Sequence, residues 1–75
     1  MTKNFNNFKM TVERNWFTSK TLVRLDPRNA GVFTTNLKVG EEKEVINKMI
    51  WELGNEPTYE DAREYFLKHP ENFHN

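Results

Sequence analysis

Phe8, Met10 and Val12 alternate with Lys9, Thr11 and Glu13, the period of two expected of a strand with one buried face. The alternation breaks at Asn15-Trp16-Phe17, where Thr18-Ser19 offers a turn. It resumes over Thr21-Leu22-Val23-Arg24-Leu25, so two antiparallel strands joined as a hairpin are predicted. Asp26-Pro27-Arg28-Asn29-Ala30-Gly31 reads as the clearest turn, because Pro27 presets φ while Asn29 and Gly31 tolerate positive φ. A third strand is predicted from Val32 to Val39, with Phe33, Thr35, Leu37 and Val39 on one face and Thr34, Asn36 and Lys38 on the other.

The period then changes. Val45, Ile46, Met49, Ile50 and Leu53 recur at the spacing of an amphipathic helix. Glu41, Glu42 and Glu44 fall in its first turn, where the helix dipole favours acids, and Gly54 stands at its end. Thr58 reads as the N-cap of a second helix, with Asp61 in the capping-box position and Tyr59, Ala62, Tyr65, Phe66 and His69 on one face. Pro70 stops that helix. Residues 1–7 and 70–75 read as flexible arms, Phe73 being placed to fold back onto the core.

Strands first and helices after predict one α+β domain over residues 1–75: a three-stranded antiparallel β-β-β sheet with two α-helices packed on one face. Phe8, Met10, Val12, Val23, Leu25, Phe33, Leu37 and Val39 would face the helices. Lys9, Lys20, Arg24 and Lys38 would then make the open face basic.

Composition narrows the means of stabilisation. A chain of 75 residues lies near the lower limit for an unaided core, and the absence of cysteine excludes disulfides and Cys-based zinc sites. Six Phe, two Trp and two Tyr supply large buried areas instead. The longest apolar run is three residues, against the ~20 a membrane helix needs. No signal-peptide stretch opens the chain, so a cytoplasmic protein without membrane contact is expected. The zero net charge hides a division: residues 1–39 carry seven basic and two acidic side chains, residues 40–75 four and nine.

Candidate chemistry is sparse. Ser19 is the sole serine, and His69 and His74 are the only histidines, so no spacing supports a nucleophile–base–acid set. The two histidines stand five apart without further metal ligands, and Glu60 and Glu64 at i, i+4 read as a solvated face. Gly31, Gly40 and Gly54 mark element boundaries rather than a phosphate loop. No enzyme, metal or cofactor is expected.

Surfaces carry more. Trp51 lies almost opposite the apolar stripe of the first helix, among Glu44, Asn47, Lys48 and Asn55. It reads either as an exposed binding anchor or as a residue buried by the second helix. Dipole preference accounts for Glu41, Glu42, Glu60 and Asp61 but less well for Glu52 and Glu64. Trp51, Glu44, Lys48, Glu52 and Glu64 are therefore the candidate partner-binding residues.

The short, Asn-rich, aromatic chain is similar to small phage or mobile-element proteins, a resemblance of general character that transfers no residue roles. It implies a non-enzymatic inhibitor or modulator of a larger nucleic-acid-handling host enzyme, a polymerase or a defence nuclease. The alternative is a small DNA- or RNA-binding protein using Lys9, Lys20, Arg24 and Lys38, with Phe5, Trp16 and Phe17 as stacking groups. A homodimer stays open.

Overall fold

The computed structural model describes residues 1–75 apart from Ser19, Asn29, 38–40 and 69–75. Six elements follow in order: β1 (Thr2–Asn4), β2 (Phe8–Asn15), β3 (Lys20–Pro27), β4 (Phe33–Leu37), α1 (Glu42–Leu53) and α2 (Tyr59–Lys68). The strands form one antiparallel sheet in the order β1-β2-β3-β4, and both helices cover one face of it. The α+β architecture expected from the pattern is present, with four strands rather than three.

The added strand lies in the segment read as a flexible arm. Thr2-Lys3-Asn4 pairs with Thr11-Met10-Lys9, and Phe5 N–H donates to the Phe8 carbonyl at 2.9 Å to close the turn. Phe5 itself is buried and stacks on Phe8. At the strand's outer end, the Met1 ammonium donates to the Val12 carbonyl at 2.8 Å and to Glu42 at 2.9 Å. Backbone pairing and one buried ring hold a stretch too short and polar to show a periodicity.

The central hairpin matches its alternation. Met10 opposes Leu25 and Val12 opposes Val23, and all four are buried beneath the helices with Phe8 and Leu37. Phe33 is half-buried against the same cluster. Asp26 and Pro27, expected in a turn, instead pair with Lys9 and Phe8 at the end of β3. The third predicted strand is shorter than expected: Val32 lies outside it, and Lys38 and Val39 lie outside the described residues.

Helix α1 buries Val45, Ile46 and Met49, with Ile50 and Leu53 packed partly against the core. It ends where Gly54 takes φ +93° and its N–H closes on the Ile50 carbonyl at 2.7 Å, a conformation that costs other L-residues more than glycine. Thr58 caps α2 as read from the sequence, its hydroxyl accepting the Asp61 N–H at 3.1 Å. Ala62, Tyr65 and Phe66 form the buried stripe of α2. His69, Pro70 and Phe73, assigned sequence roles at the end of this helix, lie outside the described residues.

Candidate functional site

Residues on α1 alternate between two environments every turn. Val45 and Met49 point into the core, which turns Glu44, Lys48, Trp51 and Glu52 outward. Trp51 is not buried by the second helix: it is 90% exposed, and α2 does not cover it. It lines a shallow depression with Glu41, Lys43, Glu44, Lys48, Glu52 and Tyr65, the last contributed by α2.

The electrostatics of this depression are acidic on balance. Lys48 lies 3.5 Å from Glu44 across one helical turn, and with Lys43 also on the rim the three carboxylates of Glu41, Glu44 and Glu52 exceed the cations by one. Burial, followed by the Glu52 charge, pushes the Tyr65 hydroxyl above its usual range. An indole face edged by carboxylates suits a cationic side chain, through the ring quadrupole and the charge together.

Four of the five candidate partner-binding residues thus meet in one place. Glu64 does not: it faces the β4 side of α2, with its carboxylate against Lys68 four residues on. That contact lowers the Glu64 pKa, through the hydrogen bond first and the Lys68 charge second.

The open face of the sheet is less basic than the strand pattern suggested. Lys9, Lys20 and Arg24 are exposed there, but Glu13 and Asp26 share the face, and Asp26 stands directly opposite Lys9. The side chains left out of that expectation are the acids of the same alternation. Lys38 lies outside the described residues.

Trp16 and Phe17, named from the sequence as stacking groups, are exposed, whereas Phe5, named with them, is buried against Phe8. Trp16 is 78% exposed and Phe17 fully so, at the end of the β2–β3 hairpin. The Asn15 carboxamide accepts the N–H groups of Phe17 and Thr18 at 2.9 and 3.4 Å, forming a turn that holds both rings outward. The Arg14 guanidinium lies 4.7 Å over the Trp16 ring, and its buried Nε has no hydrogen-bond partner. Asn15 at the break in alternation was the available signal, because an Asx turn takes the following side chains off the sheet.

Among the described residues no group of three or more His, Cys, Asp or Glu is placed to hold a metal ion. Ser19, His69 and His74 lie outside them. No described helix is long and apolar enough to cross a membrane. No protein-family model, curated protein or solved structure matches this chain.

Proposed function

We propose that the chain is a non-enzymatic protein-binding module whose contact surface is the Trp51 depression. The observation that carries the reading is the near-complete exposure of Trp51 on a helix whose other large apolar residues are covered. A tryptophan contributes nothing to the core from that position, and tryptophan is the residue most enriched where interfaces concentrate their energy. Glu41, Glu44 and Glu52 outnumber Lys43 and Lys48 around it and favour a basic partner surface, with an Arg or Lys side chain on the indole. A nucleic-acid-handling enzyme carries such a surface along its substrate groove, which makes it the partner class, and inhibition follows from occupying that groove. Affinity capture from a lysate of the source cells, with wild type against Trp51→Ala, tests the reading.

A second reading has one observation in its favour. Trp16 and Phe17 stand exposed beside Lys20, a combination able to stack bases and hold phosphates. Glu13 and Asp26 on the adjoining sheet face count against it. Titration with single-stranded oligonucleotides at two salt concentrations separates it from the first, because phosphate contacts weaken steeply as salt rises.

A further inference from the structure

The sheet has two edges, and they differ in kind. β1 is three residues long and carries Lys3, whose ammonium sits 5.7 Å over the Phe5 ring. Short strands and lysines are standard protection of an edge against pairing with another chain. β4, Phe33-Thr34-Thr35-Asn36-Leu37, is longer, and its described residues hold no charge and no proline; among the described strands it pairs with β3 alone. Its entry is fixed, since the Tyr59 hydroxyl donates to the Gly31 carbonyl at 3.2 Å.

An open edge presents alternating N–H and C=O groups whose full complement is another extended backbone. Beside this edge runs a shallow groove lined by Val32, Phe33, Arg63 and Leu67, with Glu60 and Glu64 along it. Val32 and Leu67 are exposed large apolar residues, and the Arg63 guanidinium lies 5.6 Å over the Phe33 ring. The groove mixes apolar side chains with both signs of charge.

We propose that β4 pairs antiparallel with β4 of a second copy, joining two four-stranded sheets into one of eight strands. The strand is suited to itself. It is uncharged, so no like charges oppose each other across the joint. A two-fold axis at Thr35, the midpoint of β4, sets Thr34 opposite Asn36 and Phe33 opposite Leu37. That axis runs perpendicular to the sheet, so both helical layers fall on the same side and the two grooves meet there. Each groove offers Arg63 and the carboxylates of Glu60 and Glu64 to its symmetric mate, and Leu67 leaves water. The pairing adds buried area to a chain that has no disulfide to support a small core. It leaves the Trp51 depression on another surface, independent of the function proposed above.

Sedimentation equilibrium from micromolar to millimolar protein tests the proposal. Wild type is expected to show a monomer–dimer equilibrium. Thr34 and Asn36 are exposed, so replacing them leaves each chain folded, which circular dichroism verifies. The variant T34K/N36K sets lysine opposite lysine and weakens the dimer about tenfold or more. T34E/N36K sets glutamate opposite lysine and restores it. A wild type that stays monomeric at millimolar concentration overturns the proposal. So does equal dimerisation of wild type and T34K/N36K, equal weakening in both double variants, or a dimer lost in Trp51→Ala.

Discussion

The rings of Phe5 and Phe8 stack with their centroids 4.8 Å apart and 15° between their planes. Phe8 meets Tyr59 of α2 edge-on at 6.3 Å on its other side, so one aromatic column ties the first strand to the last helix. β1 depends on that column more than on its own sequence. Phe5→Ala is expected to cost about 3 kcal/mol in urea denaturation, the usual loss for a buried phenylalanine. Amide exchange at Thr2–Asn4 should accelerate more than exchange in β3. Uniform acceleration across the sheet would show that β1 is not a separately anchored unit.

Gly54 has the only positive φ among the described glycines, and a side chain there meets open space rather than a neighbour. The cost of Gly54→Ala is therefore conformational, about 1–3 kcal/mol, since φ 93° with ψ 179° is a region essentially confined to glycine. Thermal unfolding should show that loss, while Gly31→Ala, where φ is ordinary and space is open, should change little.

The Asn15 carboxamide holds the exposed hairpin end through two backbone bonds. Asn15→Ala should lower stability by about 1 kcal/mol. It should also broaden the backbone NMR signals of Trp16 and Phe17. Unchanged signals would show that the turn forms without the side chain.

Tyr65 gives the molecule an alkaline limit. Burial first, and the Glu52 charge second, raise its pKa above the ordinary value of 10.0. The unfolded chain loses this proton at lower pH than the folded one, so the stabilisation is full below about pH 10 and is lost as pH rises through the raised folded value. Tyr65→Phe removes the group and should flatten the fall in stability on that alkaline limb. Parallel curves for the two proteins would place the pH sensitivity elsewhere.

Much of this fold was legible because its core strands and helices keep strict periods. Met10, Val12, Val23 and Leu25 alternate without exception, and Val45, Ile46 and Met49 fall on one helical face. β1 was not legible, because three polar residues carry no measurable alternation and the strand rests on hydrogen bonds to β2 and on Phe5. Asp26 and Pro27 carry turn chemistry, yet as the end of β3 they still meet Phe8 and Lys9. Periodicity also placed Trp51 opposite the core stripe, but whether α2 would cover it is a tertiary question no local pattern answers. Trp16 and Phe17 were ambiguous for a related reason: their exposure follows from an Asx turn, a local hydrogen bond rather than a period.

The function proposed for this chain stands on Trp51 serving a partner rather than the fold, and one paired measurement on Trp51→Ala addresses it. With the indole 90% exposed, the variant should unfold within about 0.5 kcal/mol of wild type. In quantitative affinity capture from source-cell lysate, a protein recovered by wild type should be depleted about tenfold or more by the variant, as loss of an interface anchor requires. Equal recovery by the two proteins, or a large loss of stability in the variant, would contradict the account.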